Sequence, residues 1–285
     1  YVGLVTACVF ADFGNKVWVI GHTPEKLEKL KKGDSIIYEP GLKELLEKNL
    51  KAKRLHFTLN FDKAVPESDI VFITVGTPTG EQGKADLTAV FDVAKKIAPH
   101  LKAGTTVLSC KSTVPVGTNK KVEQLVTEHA PKGAKVLIAS CPEFLREGTA
   151  VSDTFNPDRV VIGSDSPQAL NLLLELHKPL KSEPVGTDLA SAELIKYAAN
   201  SMLATKVSFA NFIALYCEKI GADVETVLNA VGLDKRIGRV FLNPGVGYGG
   251  SCLPKDVVAL IHSGKMLGLD PSFLEGVHSV NTHAQ

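Results

Sequence analysis

The stretch DIVFITV, residues 69–75, decides the fold, because so short a run of apolar residues is typical of a strand buried on both faces. A helical pattern, TAVFDVAKKIAPHL (88–101), follows it, and a second apolar strand, TTVLSCKST (105–113), comes next. A strand, a helix and a further strand in this order predict a βαβ unit with parallel strands.

The same alternation continues on both sides of this unit. Apolar runs predict strands at 16–20, 135–142 and 159–163, and helical spacing predicts helices at 4–14, 24–33, 41–50 and 121–130. We therefore predict an α/β fold, in which a doubly wound Rossmann-type parallel sheet forms a dinucleotide-binding domain of residues 1–186.

The pattern changes after residue 186. Residues 187–220 predict one long helix, with Thr187 or Asp188 as its N-cap and Gly221 at its end. Its length would be about 50 Å at the usual rise per residue. A helix this long and this rich in Ala, Leu and Phe needs apolar cover. We therefore expect it to be the spine of a smaller all-α domain, residues 187–285, and part of a homodimer interface.

The composition excludes several classes of protein. The 32 Lys and Arg residues nearly balance the 31 Asp and Glu residues, which argues against a strongly basic nucleic-acid surface. The five cysteines are scattered and form no Cys-x-x-Cys pair, so we expect neither a disulfide framework nor a metal site. No apolar run reaches the roughly 20 residues of a membrane span, and we expect a cytoplasmic protein.

The first residues suggest a cofactor site. Tyr1-Val2-Gly3 fits the end of the Gly-x-Gly-x-x-Gly motif, which binds a dinucleotide pyrophosphate at a helix N-terminus, with the first strand and leading glycines missing. Gly21 stands after the 16–20 strand, where an acidic residue for the ribose 2′-hydroxyl is usual. NADP is therefore an alternative to NAD, and Thr23 and Lys26 could then face its 2′-phosphate. The other interpretation of Lys26 is an ordinary surface charge.

Two later strand ends carry small and hydroxyl residues. They are VGTPTG (75–80) and KSTVPVGT (111–118), and they fall at the carboxyl edge of the sheet, where ligands bind in such folds. The cofactor-binding candidates here are Gly76, Thr77, Pro78 and Ser112.

One cysteine lies in a loop rather than in a regular element. The segment NPGVGYGGSCLPKD (243–256) is rich in Gly and Pro, so Cys252 is a candidate nucleophile on a binding loop, next to Lys255 and Asp256. The other four cysteines lie on predicted elements or at their ends, and we interpret them as structural: Cys8, Cys110, Cys141 and Cys217.

Two further segments carry polar groups suited to catalysis. Lys196 and Asn200 share a face of the long helix and could both donate to a developing oxyanion, although a polar surface stripe is the alternative. The segment CPEFLREGTA (141–150) supplies Glu143 and Glu147, either as the rim of a loop or with one carboxylate as the general base for water.

Five segments together resemble the family of UDP-glucose and GDP-mannose 6-dehydrogenases. They are STVPVGT (112–118), CPEFLREGTA (141–150), AELIKYAANSMLATKVSFANF (192–212), DKRIGRVFLNPG (234–245) and GVGYGGSCLPKD (245–256). The resemblance implies an NAD-dependent, four-electron oxidation of the 6-hydroxymethyl group of a nucleotide sugar to a carboxylate. It also implies a thiohemiacetal and a thioester on Cys252, a homodimer, and a further C-terminal domain that this chain lacks.

The resemblance assigns roles residue by residue. The catalytic candidates are Cys252, the oxyanion pair Lys196 and Asn200, Asp256 for orienting water or the base, Thr113 for a proton relay, and Glu143 for thioester hydrolysis. The cofactor-binding candidates become Tyr1, Val2, Lys26, Gly76, Thr77, Pro78, Ser112, Glu147 and Lys255. The substrate-binding candidates are Glu143, Phe144, Leu145, Arg146, Lys196, Asn200, Arg236, Phe241, Gly245, Tyr248 and Gly249. By the same resemblance, Arg236 reaches the substrate of a neighbouring subunit.

Several functions remain open at this point. UDP-glucose is the expected substrate, and GDP-mannose is its closest rival. A two-electron hydroxyacid dehydrogenase would also use a Lys and an Asn on a long helix, but it needs no nucleophile such as Cys252. The third interpretation is a dimeric scaffold that binds ligand without turnover.

Overall fold

The computed structural model describes all residues, 1–285. Its contacts divide the chain into two compact units. The first comprises residues 1–77 and 87–193, and the second comprises residues 78–86 and 194–285. The predicted domain boundary at residue 186 stays a prediction, and the contact-based units differ from it because the first turn of the long helix packs with the first unit.

Seven strands lie in the first unit: β1 (Val17–Ile20), β2 (Leu55–Thr58), β3 (Ile70–Ile73), β4 (Gly104–Cys110), β5 (Ala134–Ser140), β6 (Val160–Gly163) and β7 (Pro184–Thr187). They form a two-stranded parallel sheet, β1-β2, and a five-stranded sheet in the order β3-β4-β5-β6-β7. Ile73 is level with Cys110, and Cys110 with Ser140, so β3, β4 and β5 end at the same edge.

Eight helices belong to this unit: α1 (Val2–Asp12), α2 (Pro24–Lys31), α3 (Leu42–Lys51), α4 (Phe61–Ala64), α5 (Thr88–Ile97), α6 (Thr118–His129), α7 (Ala150–Phe155) and α8 (Pro167–His177). They cover both faces of the larger sheet. Leu108 packs in the core that α5 and α6 complete, whereas its neighbour Val107 packs with α8 on the other face. The doubly wound α/β prediction is confirmed.

One strand pairing departs from the predicted parallel pattern. Strand β6 meets β5 through a single antiparallel pair, Ser140 with Gly163. The chain between them forms α7, which packs on α1 instead of crossing a face of the sheet. Two parallel strands must be joined by a connection that crosses a face of the sheet. Because this connection does not, β6 starts near the edge where β5 ends and runs in the opposite direction.

A cavity of about 690 Å³ lies between β1 and β3, so the two sheets are not joined. Residues of both strands line it, together with residues of α1. Gly3, at the start of α1, lies beside Thr74, which follows β3, so close that a Cβ on Gly3 would be 2.5 Å from Thr74 Oγ1.

Helix α9 (Leu189–Ile220) begins and ends as the sequence predicts. Asp188 Oδ1 accepts the amide of Ser191 at 2.8 Å, which makes it the N-cap. Gly221 follows the helix with φ +73°. The start of α9 lies against β6, because a Cβ on Gly163 would be 2.4 Å from Ala192 Cβ and 2.5 Å from the carbonyl oxygen of Asp188.

The second unit is helical apart from the segment 78–86. It contains α9 from residue 194, α10 (Val224–Gly232), α11 (Leu253–Met266) and α12 (Ser272–Ala284). Ala204, Tyr248, Val257 and Val277 form its core, and the turn Glu81–Gly83 contacts α11. None of the helices in either unit combines the length and apolar character needed to cross a bilayer.

The close approach at Gly163 leads to a stability prediction. We expect Gly163→Ala to lower the free energy of unfolding by about 1–3 kcal/mol, because the added methyl group overpacks a contact with no free space. Urea unfolding measures the effect. The matched control is Gly276→Ala on the exposed face of α12, where a Cβ meets no atom within 4 Å. There the change should stabilise the helix by about 0.5–1 kcal/mol, and equal effects at the two sites would contradict the packing argument.

Candidate active site

Cys252 is the only exposed cysteine of the five. It is the N-cap residue of α11, and Pro254 lies in the first turn of that helix. The positive end of the helix dipole therefore lies next to the thiol and favours negative charge there. Ser251 Oγ is 3.6 Å from Cys252 Sγ. The local sequence predicted this setting correctly, since Gly and Pro keep the residues before Cys252 out of a regular element.

The loop that leads to Cys252 is held by two buried asparagines that the sequence did not single out. Asn211, on α9, accepts the amide of Gly245 at 2.7 Å. Asn281, on α12, accepts the amide of Tyr248 at 2.6 Å and donates to its carbonyl at 3.0 Å. The loop is therefore fixed by side chains from two helices far away in the sequence.

Asp256 lies one turn after Cys252 on α11 and is fully buried. Asn200 Nδ2 donates to its Oδ2 at 2.6 Å, and Lys255 Nζ donates to its Oδ1 at 2.5 Å. Both carboxylate oxygens thus have a partner, as a buried charge requires. The carboxylate joins α11 to α9 and orients the amide of Asn200.

Lys196 and Asn200 are both buried, with 4% and 6% of their surface exposed, as the apolar neighbours in the sequence predict. They lie one turn apart on α9. Because Asn200 uses one N–H on Asp256, its amide has a fixed direction, and it keeps a second N–H for another acceptor.

The other predicted residues of the second unit have varied settings. Arg236 is exposed and pairs with Asp234, with 2.6 Å between Nη2 and Oδ2. Phe241 is half-buried with φ +65°, and Gly249 is exposed. The Tyr248 side chain lies in the core, where burial raises its pKa. Their contacts with a substrate stay predictions.

In the first unit, the ends of β3 and β4 bring four predicted residues together. Thr77 Oγ1 donates to the carbonyl of Thr113 at 2.8 Å, and Ser112 Oγ donates to the carbonyl of Val75 at 2.6 Å. A Cβ on Gly76 would meet nothing within 4 Å, so the edge is open beside it. Pro78 belongs by its contacts to the second unit.

The segment after β5 has partners within the first unit. Glu143 Oε2 accepts the amide of Leu145 at 2.6 Å. Arg146 forms a salt bridge with Asp153, with 2.6 Å between Nη2 and Oδ1, and Arg159 lies 4.0 Å from the centre of the Phe144 ring. Glu147 is exposed. These contacts tie the segment to the rest of the first unit.

Glu39 and Glu193 are buried carboxylates that the sequence analysis missed. Glu39 accepts the amides of Gly148 at 3.0 Å and Ala150 at 2.6 Å, and the hydroxyl of Tyr1. Burial raises the pKa of Glu39, but these donors outweigh it, so its pKa lies below the usual range. No local pattern marks either residue, because the backbone amides that they accept lie more than 70 positions away.

Glu193 caps helix α6. It accepts the amides of Gly117 at 2.7 Å and Asn119 at 2.9 Å, and the side-chain amide of Asn119 at 2.7 Å. Its burial raises the pKa of this carboxyl, although the hydrogen bonds act in the opposite direction. The first turn of α9 is thereby fixed to the end of the STVPVGT segment.

The start of α1 fits a dinucleotide. The first amides of a helix have no partner inside it and favour an anion, and Tyr1 and Val2 stand at this position. A larger residue at position 3 would require the Thr74 side chain to rotate away. A Cβ on Gly21 would be 3.0 Å from the Leu27 side chain, so a carboxylate there would need Leu27 to move, and Lys26 is exposed beside it on α2.

Comparison with known proteins gives a consistent assignment over the whole chain. Residues 1–181 match the NAD binding domain of the UDP-glucose/GDP-mannose dehydrogenase family, and residues 190–283 match its central domain. The chain is 47% identical over 285 residues to UDP-glucose 6-dehydrogenase YwqF of Bacillus subtilis, and 49% identical over 281 residues to TuaD of the same organism. These matches cover 100% and 99% of this chain, but 64% and 61% of the two relatives.

Solved structures agree with the sequence matches. The UDP-glucose dehydrogenase of Pyrobaculum islandicum superimposes with a TM-score of 0.96 at 43% identity, over 99% of this chain and 66% of that one. A GDP-mannose dehydrogenase from Pseudomonas aeruginosa gives a TM-score of 0.78 at 33% identity, over 100% of this chain and 67% of that one.

The buried carboxylate of the site leads to a second prediction. We expect Asp256→Asn to lower the free energy of unfolding by about 1–3 kcal/mol, because an NH2 group replaces one carboxylate oxygen and then faces a donor, either Asn200 or Lys255. Urea unfolding measures this loss. Glu218→Gln makes the same chemical change at an exposed position of α9 and should stay within about 0.5 kcal/mol of the parent protein. If the two variants were equally stable, the Asp256 contacts would contribute nothing.

Proposed function

Because this chain belongs to the UDP-glucose/GDP-mannose dehydrogenase family, we propose that the protein carrying it oxidises UDP-glucose to UDP-glucuronate. The main structural support for this proposal is a group of three residues. Cys252 lies at the N-terminus of α11, Asp256 is buried one turn later, and Asn200 donates a hydrogen bond to Asp256. UDP-glucose is favoured over GDP-mannose because the relatives with 47% and 49% identity are named for UDP-glucose, whereas the GDP-mannose enzyme is 33% identical.

NAD, when bound, would supply a hydride acceptor, and the four-electron oxidation needs two NAD molecules in succession at the same substrate carbon. The amides at Tyr1 and Val2 would bind its phosphates, and Gly76, Thr77 and Ser112 would line its site at the strand ends. The proposed cofactor-binding residues also include Pro78, Glu147 and Lys255. NADP is the alternative, because position 21 has no carboxylate to exclude a 2′-phosphate and the exposed Lys26 could pair with it.

The nucleophile is Cys252. Its sulfur adds to the carbon of the 6-aldehyde, and the carbonyl oxygen becomes the oxygen of a thiohemiacetal. Lys196 and the second N–H of Asn200 donate to this oxygen as negative charge develops on it. Asp256 is the positioning group, since its hydrogen bond sets the direction of the Asn200 amide. Oxidation of the thiohemiacetal leaves a thioester on Cys252.

Hydrolysis regenerates the thiol. Glu143 takes a proton from water, the water oxygen adds to the thioester carbon, and the carbon–sulfur bond breaks to release the carboxylate and Cys252. Thr113 relays the proton that leaves the substrate hydroxyl. The segments of residues 144–146 and 241–249, with Arg236 from a neighbouring subunit, would hold the sugar nucleotide. A two-electron dehydrogenase would have no use for this exposed thiol.

We also propose a homodimer formed along α9. Met202, Phe209, Phe212, Tyr216 and Ile220 recur at intervals of three, four or seven residues, and each leaves 47–62% of its surface exposed. This spacing gives one apolar stripe, and two copies of such a stripe can cover each other. We further propose that the protein is cytoplasmic, which the five free cysteines support.

The first test of the proposed reaction is its stoichiometry. A protein that carries this chain with any flanking residues of its gene should form two reduced cofactors per UDP-glucose consumed, followed at 340 nm with NAD and NADP in parallel. Cys252→Ser should stop the reaction after the first oxidation, because the thioester cannot form. One reduced cofactor per sugar in both proteins would remove Cys252 from the mechanism, and turnover with GDP-mannose alone would change the substrate.

The homodimer is tested by a charge on the stripe. Tyr216→Asp should convert the dimer to a monomer in light scattering after gel filtration, because burying an unpaired carboxylate opposes association. Tyr38→Asp places the same charge on a tyrosine that is 91% exposed in the first unit, and it should leave the mass unchanged. A parent protein that is already monomeric would refute the proposed interface.

A further inference from the structure

Cys141 lies in a buried group of three reactive side chains that the proposed reaction does not use. It directly follows β5, and its Sγ is 3.7 Å from His177 Nε2 and 3.8 Å from Lys111 Nζ. All three side chains are at least nine-tenths buried. The sequence analysis interpreted Cys141 as structural, because His177 is 36 residues away and gives no local sign of the contact.

The orientation of His177 makes it a base for the thiol. Its Nδ1 lies 2.7 Å from the carbonyl oxygen of Leu173, one turn earlier on α8. A carbonyl can only accept, so Nδ1 carries the hydrogen and the lone pair of the neutral ring is at Nε2, facing Cys141. The ring of Phe10 packs edge-on against the imidazole at 5.2 Å and fixes it in place.

The surrounding charge favours the thiolate. Burial by itself would raise the pKa of Cys141, but Lys111 and His177 outweigh it and lower the pKa to about 7. Cys110, at the end of the neighbouring strand, shows what burial does without such partners, since its pKa is raised to about 12. The two thiols face opposite sides of the sheet, so they cannot form a disulfide with each other.

A cavity of about 90 Å³ adjoins this group and is lined by all three residues. Thr6 also lines it, and the buried hydroxyl of Thr6 has no hydrogen-bond partner. The other charged groups on its wall come from the segment after β5: Glu143, Arg146, Asp153, Asp158 and Arg159. A space of this volume admits a few water-sized groups but excludes a reagent as large as a thiol tripeptide.

We propose that Cys141 is a site of oxidation by small hydroperoxides, with hydrogen peroxide as the smallest member of the class. His177 takes the proton of the thiol, and the sulfur attacks one peroxide oxygen. The oxygen–oxygen bond breaks as the sulfur–oxygen bond forms, and the leaving oxygen takes a proton from His177 to become water. The thiol is oxidised by two electrons to a sulfenic acid, and the peroxide is reduced to water.

The expected size of the effect follows from the thiolate population. At pH 7 a pKa of about 7 ionises about half of the thiol, against about 1% at the ordinary value of 9.0. Nucleophilicity falls with pKa at a slope of about 0.4–0.5, which removes part of this roughly 50-fold gain. Cys141 should therefore react with peroxide about six times faster than an ordinary thiol that the peroxide reaches equally well.

The experiment treats the native protein with hydrogen peroxide and removes the peroxide with catalase after set times. It then unfolds the protein in denaturant that contains dimedone, which traps the sulfenic acids, and measures the rate at each cysteine by peptide mass spectrometry. Cys141 should be labelled with a pH midpoint near 7, whereas Cys110, buried on the adjacent strand, is the internal control and should stay unlabelled. His177→Gln should slow labelling of Cys141 at pH 7 by up to about sixfold and move the midpoint above 7, because Lys111 alone then opposes the effect of burial. This readout needs no enzyme activity and is therefore independent of the proposed reaction.

A second variant separates chemistry from folding. His177→Phe removes the base and keeps an aromatic ring against Phe10, so it covers the case in which His177→Gln fails to fold, as judged by its thermal unfolding. A Cys141 that stays unlabelled in the folded parent protein would overturn the proposal. So would a Cys141 rate that neither variant changes.

Discussion

The burial of the Asp256 carboxylate is the constraint on which the candidate active site depends. A charge removed from water needs donors on both oxygens, and here these come from Asn200 on α9 and from the adjacent Lys255. The requirement fixes α11 against α9 and gives the Asn200 amide one direction. The same requirement holds the first turn of α11 in place, because a shift of that turn would break the hydrogen bond between Asn200 and Asp256. Cys252 lies at the start of this turn. The chemistry of the cysteine loop therefore rests on a residue that need never touch the substrate.

Two buried carboxylates use the same principle in the first unit. Glu39 accepts amides of the segment that follows Glu147, and Glu193 accepts amides at the start of α6. In both cases a side chain satisfies backbone donors that a loop or a helix start would leave unpaired. The segments fixed in this way, 143–150 and 112–118, belong to the five segments on which the family resemblance rests. The order of these loops thus comes from residues outside them.

The sequence predicted the main strands and the long helix well, because their signals are local and strong. Continuous apolar runs such as 69–75 identify buried strands, and Asp188 and Gly221 mark the ends of α9. The missed elements include β2, β7, α4 and α7, which are four to six residues long and too short to show a period. The antiparallel pairing of β6 was missed because it depends on α7 packing against α1, which no local pattern encodes.

Cys252 and Cys141 mark the division between sequence and structure. The sequence alone determined the α/β class, the family resemblance and the setting of Cys252, because glycines and prolines act on their own neighbours in the chain. Only the tertiary structure decided that Asp256 is held by Asn200, that Glu39 and Glu193 are anchors, and that Cys141 faces His177 and Lys111. The physical reason is that backbone conformation is set within a few residues. The electrostatic surroundings of a buried group are instead set by whichever side chains the fold brings within about 4 Å.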